Sequence, residues 1–296
     1  MKYKLNRLLV FEVIAVWKAL LSCKNNNPEL PVQETITLKT IENEHHAFGE
    51  GLTQSVEGTF DFPVDPERVE KIEMYIQLHC PENGCNEWDV FSNISVWDPE
   101  MDEWLEMGRY NTPYGIDNSQ VGRGFMIDVT DFRSLLTGSA ELRSFIEVWG
   151  SDGWLVSVEF EVREGEPEFK FSNITPVIHY ADLSLGGIPY EEAYEMSTSA
   201  TVTLSEQSSK TTHRKIISGW GHTTLADPDA RACAEWCFRT YRMHINDQHW
   251  FTHQMEGLDC VKDPVQPQGG NWERDRAGWC LGKAVPVRLN WFINQL

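Results

Sequence analysis

Three carboxylates in this chain stand beside tryptophans: Asp89 in Glu87-Trp88-Asp89, Glu147 in Glu147-Val148-Trp149, and Glu235 in Glu235-Trp236. Two of them also lie at close cysteine pairs. Cys80 and Cys85 precede Asp89, and Cys233 and Cys237 bracket Glu235. An indole can stack on the apolar face of a pyranose and strip water from a neighbouring carboxyl, which raises that carboxyl's pKa towards the working range. A disulfide across so short a loop stabilises little through chain entropy, so its use would be to fix local shape. If residues 87–89 are extended, Glu87 and Asp89 point one way and Trp88 the other, while Glu147 and Trp149 share a face. Taken singly, each is an acidic residue on a strand edge beside a core tryptophan. The three together point to carboxylate chemistry directed at glycans, and the spacing does not say which bond breaks.

Other chemistries are weaker in the pattern. His249 and His253 are four apart and His45 and His46 adjacent, but no third ligand is placed by spacing, so no metal is expected. No nucleophile-elbow motif is present. A formal net charge of −20 argues against nucleic acid as a partner and otherwise reads as solubility. Twelve tryptophans are many for 296 residues and suit either a Trp-rich core or sugar-stacking surfaces.

The elements that would carry these groups are strands. Ile72, Met74, Ile76 and Leu78 alternate with polar residues, and so do Trp154, Val156, Val158, Phe160 and Val162. Such period-two runs predict half-buried antiparallel strands. Further strands are expected at Ser92–Trp97, Phe125–Val129, Leu142–Val148 and Ile174–Tyr180, with a short helix at Asp131–Leu136. The fold class is all-β, built as sandwiches. The polar break Arg163-Glu164-Gly165-Glu166-Pro167-Glu168 separates domains at 35–165 and 170–296.

Residues 1–22 read as an export signal. Lys2, Lys4 and Arg7 precede a mostly apolar Leu8–Leu21, which Glu12 and Lys18 interrupt and which is too short to span a membrane. Leu20-Leu21-Ser22-Cys23 resembles a lipoprotein cleavage box. Cys23 would then carry lipid, and residues 23–34 would form a tether. The chain would be exported, periplasmic or anchored at the outer membrane, and would meet a membrane only through that lipid. Six of the seven cysteines remain, an even set that reads as disulfides in an oxidising compartment, with a zinc site as the alternative.

From about Glu34 to Arg288 the chain resembles the peptide-N-glycosidase F family. The resemblance rests on Ala47-Phe48-Gly49-Glu50-Gly51-Leu52, Glu57-Gly58-Thr59-Phe60, Cys85-Asn86-Glu87-Trp88-Asp89 and Ile127-Asp128-Val129-Thr130-Asp131-Phe132. In the second half it rests on Ile217-Ser218-Gly219-Trp220-Gly221-His222, Cys233-Ala234-Glu235-Trp236-Cys237-Phe238-Arg239-Thr240 and Asp275-Arg276-Ala277-Gly278-Trp279-Cys280. It implies an amidase that cleaves the asparagine side chain from the first N-acetylglucosamine of N-linked glycans. It implies two eight-stranded antiparallel jelly rolls side by side with the site at their interface, no metal, no cofactor, and N-linked glycoproteins or glycopeptides as substrates of a monomer.

Residue by residue, the family's essential aspartate falls on Asp89 and its supporting glutamates on Glu147 and Glu235. Trp149, Trp220, His222, Trp236, Arg276 and Trp279 match cleft positions, and Trp88 joins them as a stacking residue beside Asp89. The implied disulfides are Cys80–Cys85, Cys233–Cys237 and Cys260–Cys280. The chain departs from the family representative at Val90 and Gly115, where that relative carries Arg and Trp. The second jelly roll is expected to be truncated after Val285-Pro286-Val287-Arg288, which would weaken the enzyme. A glycan-binding lipoprotein without catalysis and a glycosidase acting on the glycan core are the rival readings.

Overall fold

The two strongest alternating runs of the sequence are hydrogen-bonded neighbours. The computed structural model describes residues 34–177, together with 197, 199–203, 208, 210–212, 239–246, 249–255, 262–266 and 284–285. In chain order the strands are β1 (Thr35–Lys39), β2 (Glu44–His46), β3 (Ser55–Phe62), β4 (Val69–His79), β5 (Phe91–Asp98) and β6 (Glu103–Asn111). They continue as β7 (Phe125–Asp128), β8 (Gly138–Ile146), β9 (Trp154–Glu164), β10 (Arg239–Ile245), β11 (His249–Met255) and β12 (Ala284–Val285).

One sheet has the order β1-β9-β4-β7, with β2 also on the free side of β9; the other has the order β12-β6-β5-β8-β3. Strands β10 and β11 pair as a hairpin. Every described pairing is antiparallel. The register of β4 on β9 sets Ile72 opposite Val162, Met74 opposite Phe160, Ile76 opposite Val158 and Leu78 opposite Val156. All eight side chains are buried. Because side chains alternate along a strand, this register puts one apolar row of each on the same face. They share one core with Ile94, Val96, Leu105, Met107, Leu142 and Ile146 of the second sheet. Phe62 and Phe160 meet edge to face with ring centroids 5.2 Å apart. Each such aliphatic side chain contributes on the order of 1.5–3 kcal/mol by burial.

The all-β expectation is realised, and several boundaries move. Among the described residues, nine strands lie between Thr35 and Glu164, five in one sheet and four in the other. The strand expected over Leu142–Val148 ends at Ile146, where Val148 N–H turns back to the Ile146 carbonyl at 2.8 Å. The helix expected over Asp131–Leu136 is a 3₁₀ turn, Thr130–Phe132, continued by bonds from the Leu135 and Leu136 N–H groups to the Phe132 carbonyl. Residues 174–177 of the strand expected at Ile174–Tyr180 form no ladder. Pro176 has no N–H to give one.

Val265, from the second half of the chain, is buried in this core. Gln120 fastens the same segment: its Nε2 donates to the Gln266 carbonyl at 2.7 Å, and its Oε1 accepts from Gln266 N–H at 3.0 Å. Val265→Asp would bury a carboxylate among apolar neighbours. A cost of about 3 kcal/mol, at about 3 °C per kcal/mol, is expected to lower the thermal midpoint by on the order of 10 °C. Far-UV circular dichroism measures it, and an unchanged midpoint would place Val265 outside the core.

Candidate active site

Strand β5 runs between β6 and β8, with Ser92 opposite Tyr110 on one side and Ile146 on the other. The start of β5, the end of β6 and the end of β8 therefore meet at one edge of the sheet. Asp89 lies just before β5 and Glu147 just after β8, so antiparallel pairing brings together two acids 58 positions apart in sequence. Glu147 N–H donates to the Phe91 carbonyl at 2.9 Å. Val90, directly after Asp89, is held at both backbone groups by Thr112. Its N–H donates to the Thr112 hydroxyl at 2.8 Å, and its carbonyl accepts from Thr112 N–H at 3.1 Å.

On the other side of Asp89, Cys80 and Cys85 are disulfide-bonded. Gly84 N–H closes the same turn onto the Pro81 carbonyl at 2.9 Å. Glu87 and Trp88 form a bend and Asp89 follows outside any strand, with Asn86 Oδ1 accepting the Trp88 N–H at 3.1 Å. The strand geometry expected of Glu87-Trp88-Asp89 does not apply there. Residues 147–149 leave the ladder, yet their alternation persists: Val148 is buried while Glu147 is half-buried and Trp149 exposed.

An open cleft of about 710 Å³ lies between these two segments, bordered by Asn86, Glu87, Trp88, Val90, Trp149 and Asp152 among others. Its two indoles stand in water, Trp88 at 56% and Trp149 at 66% exposure. Each is braced edge-on by a second ring. Tyr114 lies 5.7 Å from Trp88 and Phe48 lies 4.9 Å from Trp149. Such pairs hold an exposed ring at a fixed tilt and contribute about 0.5–1.5 kcal/mol beyond their area. Phe48 N–H also donates to the Gly150 carbonyl at 2.8 Å.

Partial burial pushes the Glu147 carboxyl above the ordinary glutamate range. At Asp152 burial acts in the same upward direction, but hydrogen bonds from Asn86 and Gly153 outweigh it and hold that carboxyl below the usual range. Asp89 and Glu147 are not among the residues that border the cleft, but each is close in sequence to residues that do, Asp89 between Trp88 and Val90 and Glu147 two before Trp149. The structure thus brings together Asp89, Trp88, Glu147 and Trp149. Glu235, Trp220, His222, Trp236, Arg276, Trp279, Cys23 and the cysteines 233, 237, 260 and 280 lie outside the described residues.

At the two departures from the family pattern, Val90 packs partly against the core and Gly115 adopts φ +70°, a left-handed conformation that favours glycine. Asn86, Asp152, Phe48 and Tyr114 were not picked out by sequence reasoning, because their roles arise only from contacts across the fold. His45 and His46 sit on successive positions of β2, His45 half-buried and His46 fully enclosed. His249 and His253 lie on a strand, where four residues span about 13 Å.

No family model matches the chain. It is similar to the peptide-N(4)-(N-acetyl-beta-D-glucosaminyl)asparagine amidase F of Elizabethkingia miricola, with 41% identity over 308 aligned residues, 99% of this chain and 87% of that protein. Among solved structures it is similar to a crystal structure of peptide-N(4)-(N-acetyl-beta-D-glucosaminyl) asparagine amidase, at 43% identity and TM-score 0.76, covering 86% of this chain and 83% of that one. It is equally similar to PNGase F, a glycosylasparaginase from Flavobacterium meningosepticum, at 43% identity and TM-score 0.76, covering 86% and 82%.

The raised Glu147 pKa has a consequence for stability. An acid whose folded pKa lies above its unfolded value stabilises the fold below the unfolded value and loses that contribution as pH rises through the folded one. Glu147→Gln is therefore expected to raise the thermal midpoint at neutral pH. The gain should vanish below about pH 4, near the ordinary glutamate value. A midpoint difference independent of pH would contradict the burial of this carboxyl.

Proposed function

The chain belongs to the peptide-N(4)-(N-acetyl-beta-D-glucosaminyl)asparagine amidase F family, and from that premise we infer that it releases N-linked glycans by hydrolysing the amide between the asparagine side chain and the first N-acetylglucosamine. Water adds to the side-chain carbonyl, the carbon–nitrogen bond breaks, and aspartate and a glycosylamine depart. The reaction needs a group to orient or deprotonate water, donors for the developing oxyanion, and a proton for the leaving nitrogen.

In this reading Asp89 carries the main proton transfer at the amide. Its support is the anchoring of its neighbours by the Cys80–Cys85 bridge and by the two bonds between Val90 and Thr112. Glu147 contacts the first sugar and tunes Asp89 from the adjoining strand end. Trp88 and Trp149 offer flat apolar faces to pyranose rings. Glu235 holds the water or amide from a second jelly roll, assigned to residues 170–296 beside a first at 35–165. Arg276 orients a carboxylate or polarises the carbonyl, and Trp220, His222, Trp236 and Trp279 complete the cleft. No cofactor enters the scheme.

Export as a monomeric lipoprotein anchored through Cys23 is part of the same proposal. It is supported by Leu20-Leu21-Ser22-Cys23 and by the Cys80–Cys85 disulfide, which suits an oxidising compartment.

Mass analysis of a denatured N-glycoprotein after incubation tests the reaction. Aspartate at the former glycan site is the expected product. A residual N-acetylglucosamine would mean a glycosidase, and an untouched but bound glycopeptide would mean a binding protein. Asp89→Asn keeps the side chain's shape and removes its base. It is expected to cut turnover by at least about 10²–10⁴-fold while glycopeptide binding stays measurable. Glu147→Gln is expected to cost less. Near-normal turnover by the Asp89 variant would remove that residue from the mechanism.

A further inference from the structure

Asn86 is buried and uses all four of its polar groups. Its Nδ2 donates to Asp152 Oδ1 at 2.7 Å, and its Oδ1 accepts from Trp88 N–H at 3.1 Å. Its backbone N–H donates to the Gly153 carbonyl at 3.2 Å, and its own carbonyl accepts from Gly115 N–H at 3.1 Å. The residue thus joins three segments that have no ladder between them: the one carrying Trp88 and Asp89, the one following Trp149, and the turn at Gly115. Asp152 completes the other side. Its Oδ1 also accepts from Gly153 N–H at 3.0 Å, and its backbone carbonyl accepts from the ring of His45.

The approach is close enough to restrict the residue next to Trp149. A Cβ at Gly150 would lie 2.5 Å from Asp152 Oδ1 and 2.6 Å from Asn86 Nδ2. Both distances are below any ordinary contact.

We propose that Asn86 and Asp152 form a positioning clip that fixes the separation between the Trp88–Asp89 segment and the Trp149 segment, and with it the width of the cleft for the reacting amide and its sugar. Both side chains border the cleft, and the clip acts by holding the two segments rather than by transferring a proton. It rests on the amidase reading for its effect on rate, and on geometry alone for its effect on the two segments. The bond between them needs one donor and one acceptor, so the two side chains can exchange roles once an amide at position 152 turns its Oδ1 to Gly153 N–H and its Nδ2 to position 86.

Asn86→Asp keeps an acceptor for Trp88 N–H and opposes two carboxylates at hydrogen-bond distance. Those carboxylates attract only while they share a proton, an arrangement lost as pH rises through the raised pKa of the pair. Among the described residues His45 also contacts Asp152, through its ring and the Asp152 carbonyl, and every variant retains it. Asp152→Asn keeps an acceptor. The double variant Asn86→Asp with Asp152→Asn restores one donor and one acceptor.

Amide hydrogen exchange over residues 86–90 and 148–153 reads the clip without requiring turnover. At neutral pH the Asn86→Asp variant is expected to lose protection in both segments, and the double variant to regain it. Gly150→Ala is expected to lose it by wedging the clip open. In the glycopeptide assay, Asn86→Asp should fall about tenfold to a hundredfold in kcat/KM, the scale of a catalytic group displaced by about an ångström. It should recover at lower pH relative to wild type, and the double variant should return to within a few-fold.

Unchanged protection in Asn86→Asp, or no rescue in the double variant, overturns the clip. Rescued protection with no wild-type turnover upholds the clip and overturns the amidase reading. Rescued protection with turnover that is active but insensitive to Asn86→Asp overturns the claim that the clip sets the rate.

Discussion

The pairing of β5 between β6 and β8 is the constraint from which the site follows. Antiparallel neighbours reverse direction, so one strand's beginning lies beside its neighbours' ends. Ser92 opposite Tyr110 and Ile146 carries the chain out at a single edge, with Val90 against Thr112 and Glu147 against Phe91. A one-residue slip would turn each side chain to the opposite face. Slippage is opposed because Ile94, Val96, Leu142 and Ile146 are buried with the facing apolar rows of β4 and β9. Hydrophobic burial thus sets register, and register places the acids.

Beyond that edge the ladder gives way to individually specified bonds. Cys80–Cys85, Asn86 and Thr112 each hold a short irregular stretch that a strand would otherwise have ordered. Irregular backbone is what lets Trp88 stand exposed while Val90, two positions on, packs partly against the core, because a regular strand would set both on one face. At Val148 and Trp149 the alternation of β8 simply carries on past the last ladder pair. The sheet supplies a rigid platform, and the loops supply the departures from it that chemistry needs.

Much of the platform was legible in the sequence. The period-two runs through Ile72–Leu78 and Trp154–Val162 became β4 and β9, because alternation is a local property that the pleat reads directly. Asp89, Glu147, Trp88 and Trp149 were marked by composition, and the fold gathers them. The bend at Glu87-Trp88 was not legible: a strand pattern fits Glu87-Trp88-Asp89 equally well, and the bend depends on the side chain of Asn86, two positions before Trp88. Asn86 and Asp152 were unmarked for a similar reason. The bond between them spans 66 positions, and neither Asn nor Asp in a turn-rich stretch signals anything beyond a turn. The end of β8 reflects local hydrogen bonding that hydrophobic spacing does not encode.

The contrast among the tryptophans has a spectroscopic consequence. Trp154 is fully enclosed and donates its Nε1 proton to the Ile116 carbonyl at 3.1 Å, whereas Trp88 and Trp149 are largely open to water. Indole emission shifts to shorter wavelength as water is removed from the ring. A ring lying over either exposed face would blue-shift that part of the spectrum, while the enclosed indole's contribution stayed fixed. Soluble quenchers should likewise reach the first pair and spare the third. The cleft thus carries its own unlabelled reporter of occupancy, readable even in a variant that turns nothing over.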